Sequence, residues 1–165
     1  MLVAFWVWIC LFGKILVPLD GSEHSVKALE KAIQIAKKFE AKVTLIHVYS
    51  VSVQPILLPE PTTLGASSIP FLTAAEISKV VEITRKAGKR ILEDGEHRAK
   101  SEKIRVEKML VEGHAVQEIV RVAKEGNFDL IVIGARGLSK IRAILLGSVS
   151  DGVIHHATCP ILLVK

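Results

Sequence analysis

The sequence predicts an α/β fold: a single doubly wound domain with an open, five-stranded parallel sheet and helices on both faces. Three observations carry this. Short apolar runs take turns with longer stretches of three- and four-residue periodicity, the order expected of strand–helix units. The runs at 14–20 and 129–133 are apolar rather than alternating, as strands buried on both faces are in parallel sheets. Two of them end in turns built of Gly, Asp and Ser, and open parallel sheets bind ligands at such strand ends. With 165 residues, half of them apolar and 24% charged, the chain has room for one core and is too apolar for disorder.

Lys14-Ile-Leu-Val-Pro-Leu-Asp20 reads as the first buried strand, with Pro18 marking where its ladder stops. Ser22 or Ser25 caps the first helix. Along that helix Val26, Leu29, Ala32, Ile33, Ala36 and Phe39 form an apolar stripe. Val43 to Tyr49 is rich in β-branched residues and reads as the second strand. Residues 50–72 hold four of the six prolines and a single charge, Glu60. They predict a long loop, a kind of segment that is functional or mobile in compact domains. Thr73-Ala-Ala-Glu76 has capping-box spacing. It opens a charged helix ending near Lys100, with Ile77, Val80, Val81, Thr84, Ala87, Ile91 and Leu92 along one side and with Gly88 and Gly95 weakening it. Ile104 to Val111, with rough alternation, reads as a weaker third strand, stopped by Gly113. Val116, Ile119, Val120 and Ala123 mark a short helix ended by Gly126-Asn127. Asp129 to Ile133 is the fourth strand, followed by Gly134-Ala-Arg-Gly137. A helix from about Ser148 to His156 and a last strand from Ile161 to Lys165 complete a Rossmann-like pattern, with right-handed crossovers between parallel strands.

The formal charge of +5 permits an anionic small molecule and is too thin to argue for nucleic acid. Two cysteines, Cys10 and Cys159, with no CxxC exclude a disulfide framework and a cysteine-ligated zinc, and fit a reducing, cytoplasmic setting. Residues 1–13 form a separate apolar extension. Met1 to Phe12 is uncharged and holds four of the eight aromatics. The run breaks at Gly13-Lys14, short of the ~20 residues a membrane span needs, and it lacks the basic start and cleavage site of a signal peptide. A mis-set start codon is the first expectation, and packing on the domain or a partner chain the second. No membrane association is expected.

The chemistry-bearing residues cluster at two strand ends. The first strand closes in Pro18-Leu-Asp20-Gly21-Ser22. The fourth closes in Gly134-x-x-Gly137, with Gly147-Ser148 after nine further residues. Glycine lets backbone approach a phosphate closely, and the free amides of a helix starting at Ser148 make an anion site there. Asp20 can meet a ribose hydroxyl or a divalent metal bridging to phosphate, or simply cap the next helix. The pattern is neither GxxxxGK[ST] nor GxGxxG. Bare turns remain an equal reading of the glycines taken alone. Among the histidines, His47 reads as a buried, hydrogen-bonded strand residue. His155-His156 point to different helix faces and make a poor metal pair. Arg136, Lys140 and Arg142 either reach phosphates or form a basic surface. Cys159 reads as a buried small hydrophobe.

The chain resembles the universal stress proteins. The resemblance rests on Lys14-Ile-Leu-Val-Pro-Leu-Asp20-Gly-Ser22, Val43-Thr-Leu-Ile-His-Val48, Val111-Glu-Gly113, Asp129-Leu-Ile-Val-Ile-Gly134-Ala-Arg-Gly137, Gly147-Ser148-Val149 and His155 to Val164. It spans about residues 14–165, and G-x2-G-x9-G-[ST] is the signature of the family's ATP-binding branch. The resemblance implies an adenosine pocket lined by Pro18, Asp20 and Val48, with Val111 and Gly113 bordering the base. It implies a loop of Ile133, Gly134 and Gly137 over the ribose and phosphates, and a phosphate cradle of Gly147, Ser148 and Val149. ATP with Mg²⁺ or Mn²⁺ at Asp20 is the implied ligand. A homodimer through strand 161–164 is the implied assembly, and it would also cover an apolar edge strand. The chain departs from the family in its first 13 residues, in His114 where proline is common, and in the apolar 50–72 loop. A nucleotide-binding regulatory protein is the leading expectation. A slow metal-dependent ATPase and an interaction module working through the 50–72 loop are its alternatives.

Overall fold

In the computed structural model, which describes residues 12–50, 73–138 and 146–165, strand residues divide by parity into two cores. The strands are β1 (Lys14–Pro18), β2 (Lys42–Tyr49), β3 (Val106–Glu112), β4 (Leu130–Gly134) and β5 (Ile161–Val164). They pair in parallel in the order β3-β2-β1-β4-β5. Helices α1 (Glu23–Phe39), α2 (Ala74–Ser101), α3 (Ala115–Glu125) and α4 (Ser148–His156) cover them. Ile15, Val17, Val43, Leu45, Leu130 and Val132 pack under α1 and α2. Leu16, Ile46, Ile131 and Ile133 pack under α3 and α4. Successive strand side chains face opposite sides of the sheet, so a run that is apolar throughout is buried on both. The doubly wound expectation holds.

The caps explain where the helices start. Ser22 is the N-cap of α1, its hydroxyl accepting from the Ser25 amide at 3.2 Å. Thr73 caps α2 through both halves of a capping box: its hydroxyl accepts from the Glu76 amide at 3.2 Å, and the Glu76 carboxylate accepts from the Thr73 amide at 2.7 Å. Gly126 closes α3 as expected. At the far end of the sheet the Phe12 ring meets Phe39 edge-on, with centroids 5.5 Å apart.

Only the second half of α2 reaches the core. Its first half carries no buried face: Val80 is 45% exposed, and Ala87 is exposed as well. The buried residues are Gly88, Leu92, Gly95 and Ala99. The two glycines are therefore the seats of the helix. A Cβ on Gly88 would lie 2.5 Å from the His47 ring, and one on Gly95 would lie 2.7 Å from Leu19 Cδ1. Close approach to the sheet required hydrogen at those positions, and periodicity of apolar residues cannot register it. Glu96 then ties the helix to β3 by accepting from Lys108 at 2.7 Å.

The chain runs outward from β1 to β2 and β3, then returns to the other side of β1 for β4 and β5. The reversal falls between β1 and β4, where diverging connections open a crevice at the carboxyl ends of the strands. No helix among the described residues is long and apolar enough to cross a membrane. The expectations for residues 1–11 and for the 50–72 loop beyond Ser50 lie outside the described residues.

Candidate functional site

Three turns meet at that crevice. β1 ends at Pro18, and Asp20 follows two residues later, its Oδ1 accepting from the Ser22 amide at 2.9 Å. The intervening Gly21 sits at φ +82°, a conformation that favours glycine. β4 ends at Gly134, whose missing Cβ would stand 2.6 Å from the His24 carbonyl carbon. The first turn of α1 therefore rests directly on the end of β4. The Ser22 hydroxyl donates to the Arg136 carbonyl at 3.3 Å, tying the first turn to the second. The Gly147 amide donates to the Ala135 carbonyl at 2.8 Å, tying the second to the third.

Gly147 is the N-cap of α4, and the amides of Ser148 and Val149 in the first turn of that helix have no intrahelical acceptor. The Ser150 hydroxyl, buried beneath them, donates to the Gly134 carbonyl at 2.7 Å. On the opposite side Gly137 faces Asp20 so closely that a Cβ would lie 2.5 Å from Oδ2. One carboxylate, two glycine turns and one helix start thus enclose a single cleft of about 800 Å³, its open mouth included.

Of the eleven residues expected at the site, nine line this cleft: Pro18, Asp20, Val48, Ile133, Gly134, Gly137, Gly147, Ser148 and Val149. Val111 and Gly113 do not. Val111 pairs with Val48 one strand further out and packs in the core beside α3. Gly113, at φ +151°, turns the chain into α3: its amide donates to the Tyr49 carbonyl at 2.9 Å, and a Cβ would strike Glu118. An apolar wall of the cleft is made by Ala115 and Ile119 of α3, with Ile46 from β2. No spacing in the sequence reveals that wall, because it depends on how α3 lies across the sheet. Of the basic residues expected either at phosphates or on the surface, Arg136 lines the cleft, and Lys140 and Arg142 lie outside the described residues.

Asp20 is the acidic residue of the described lining and Arg136 the basic one. No cluster of three or more His, Cys, Asp or Glu able to hold a metal occurs among the described residues. His155 lies 3.7 Å from Asp151, and His156 bonds the Gly152 carbonyl at 2.8 Å, so the adjacent pair shares no ligand position. His47 Nδ1 bonds the Leu19 carbonyl at 2.7 Å, in keeping with the hydrogen-bonded reading. Cys159 is half-buried against the α3–α4 core, and that burial pushes its thiol upward.

The Universal stress protein family model matches residues 11–165. The universal stress protein YxiE of Bacillus subtilis is 34% identical over 155 residues, 94% of this chain and 100% of that protein. The solved structure of the universal stress protein UspA from Lactobacillus plantarum superposes with a TM-score of 0.74 at 21% identity, covering 93% of this chain and 98% of that one. A universal stress protein solved in complex with cAMP superposes with a TM-score of 0.64 at 27% identity, covering 93% and 97%. By the family match and by these similarities, the chain belongs to the universal stress protein family.

Proposed function

We propose that this chain binds ATP in the β1–β4 cleft and works as a nucleotide-dependent regulatory homodimer of the family's ATP-binding branch. One observation carries the reading: both glycine turns and the Asp20 carboxylate border a single cleft. Its two ends differ in chemistry. Ile46, Val48, Ala115 and Ile119 make an apolar wall suited to a base. Gly147, Ser148 and Val149 offer main-chain amides and a hydroxyl at a helix start, suited to phosphate oxygens. Arg136 adds a positive charge that a polyphosphate complements.

Mg²⁺ or Mn²⁺ fits this arrangement. Such a cation is held by one or two carboxylates and completes its shell from phosphate oxygens and water. Asp20 supplies that carboxylate, and the absence of a Cβ at Gly137 leaves room for Oδ2 where a side chain would clash. The bound ion would neutralise phosphate charge. No general base stands beside Asp20 in the described lining, so the reading is one of binding rather than turnover. The homodimer rests on β5, the terminal strand of the sheet, where Leu162 is 36% exposed. An apolar sheet edge of this kind calls for cover.

Native mass spectrometry of the purified protein tests both parts, since it reads bound nucleotide and subunit count together. A thermal melt with Mg·ATP supplements it. Ligand at 100 times Kd adds about 2.7 kcal/mol to the native state, several degrees in Tm for a domain of this size. A protein that purifies empty and whose Tm ignores millimolar ATP is not an ATP-binding protein.

A further inference from the structure

The residues behind the cleft belong to its machinery as much as those lining it. Ile46 and Val48 of β2 line the cleft, whereas His47 between them turns its ring to the other face of the sheet, against Gly88 of α2. That ring reaches back to the site. Leu19 lies just past the last laddered pair of β1 and β2, Pro18 with Ile46. Its amide donates to the Ile46 carbonyl at 2.8 Å, and its carbonyl bonds His47 Nδ1 at 2.7 Å. A carbonyl only accepts, so Nδ1 carries the hydrogen. Both backbone polar groups of Leu19 are thereby attached to β2, and the next residue is Asp20.

The ring has no slack. A Cβ on Gly88 would lie 2.5 Å from its Cδ2 and 3.1 Å from its Nε2, and a Cβ on Gly95 would meet the Leu19 side chain at 2.7 Å. On its far side Asp20 is held by the Ser22 amide. The carboxylate is thus gripped from both chain directions, and one grip is a side chain on the face of the sheet away from the ligand.

We propose that His47 is a positioning residue of the nucleotide site: through the Leu19 carbonyl it sets where Asp20 meets the ligand, with Gly88 of α2 holding the ring in place. The inference rests on the nucleotide reading above and deepens it, because it makes α2 a mechanical neighbour of the bound metal and phosphates.

A double-mutant cycle on the full chain tests it. His47→Leu removes the donor and keeps bulk, His47→Asn restores a donor near the Nδ1 position, and Asp20→Asn removes the group being positioned. Affinity for Mg·ATP and for adenosine is measured by calorimetry. In the Asp20 background, His47→Leu weakens Mg·ATP about five- to tenfold, the scale of one hydrogen bond. In the Asp20→Asn background the same change costs less than about twofold, as residues acting as one unit require. His47→Asn recovers most of the loss, and adenosine affinity stays unchanged. Equal losses in both backgrounds, or an equal loss for adenosine, overturn the positioning role. If His47→Leu does not fold, imidazole NMR of the wild-type protein decides. A protonated Nδ1 whose resonance moves with Mg·ATP and not with adenosine supports the role, and a ring indifferent to both overturns it. A wild-type chain that binds no ATP overturns the nucleotide reading and this inference together, a result distinct from additive losses.

Discussion

Gly137→Ala separates the site from the fold. The added Cβ would stand 2.5 Å from Asp20 Oδ2 and 3.7 Å from its Cγ, about 1 Å inside van der Waals contact with the oxygen. What must yield is the end of a side chain, and it yields by swinging away, which loosens the 2.9 Å bond that Oδ1 takes from the Ser22 amide. The backbone itself accepts alanine, because the positive-φ glycines of the described residues are Gly21 and Gly113. Replacing glycine at a compatible position removes unfolded-state entropy worth about 0.4–1 kcal/mol, which offsets part of the local strain. Stability should therefore stay within about 1 kcal/mol of the parent. Affinity should not. A displaced carboxylate forfeits a charge-assisted contact of about 1.5–3 kcal/mol, or roughly 10- to 150-fold in Kd. Calorimetric titration with ATP, with Mg²⁺ and with EDTA, reads that loss, and it should shrink when the metal is withheld. A variant with parental Tm and Mg·ATP affinity within about twofold of the parent would refute the placement of Asp20 at the ligand.

Gly134→Ala should act on the fold instead, since its Cβ meets the His24 carbonyl carbon at 2.6 Å and its oxygen at 2.8 Å, and backbone cannot swing aside. A loss of at least about 1–3 kcal/mol in urea denaturation is expected, and an unchanged midpoint would contradict that contact. Ile131→Ala, in a residue 0% exposed within the α3–α4 core, should cost about 2–5 kcal/mol in the same assay. Hydrogen bonds from Lys108 and then Lys100 hold the Glu96 carboxyl below its ordinary range. Its contribution to stability is accordingly present above the unfolded-state value, about 4.3, and fades as pH falls through the lower folded one. Glu96→Gln should flatten that part of the acid destabilisation, read from urea midpoints stepped down in pH. Burial raises the Cys159 thiol, so alkylation by iodoacetamide at neutral pH, followed by peptide mapping, should be slow at Cys159 and accelerate in urea.

Local chemistry made much of this protein legible before any coordinates. Continuous apolar strands, a serine cap at Ser22 or Ser25, the Thr73 cap and the stop at Gly126 are short-range events, decided by residues within a turn of one another. The turns at residues 18–22, 134–137 and 147–149 were equally visible, because glycine and serine at strand ends are local signals too. What tertiary structure alone decided is everything set by distance across the chain. It showed that α3 contributes Ala115 and Ile119 to the cleft, whereas Val111 and Gly113 lie outside its lining. It showed that Gly88 and Gly95, which weaken a helix when judged by propensity, are where α2 seats on His47 and Leu19. It also showed that a histidine on the far face of the sheet bonds the residue before Asp20. Periodicity reports which face of an element is apolar; it carries no record of how closely two elements approach, and at this site the closeness is what brings the groups together.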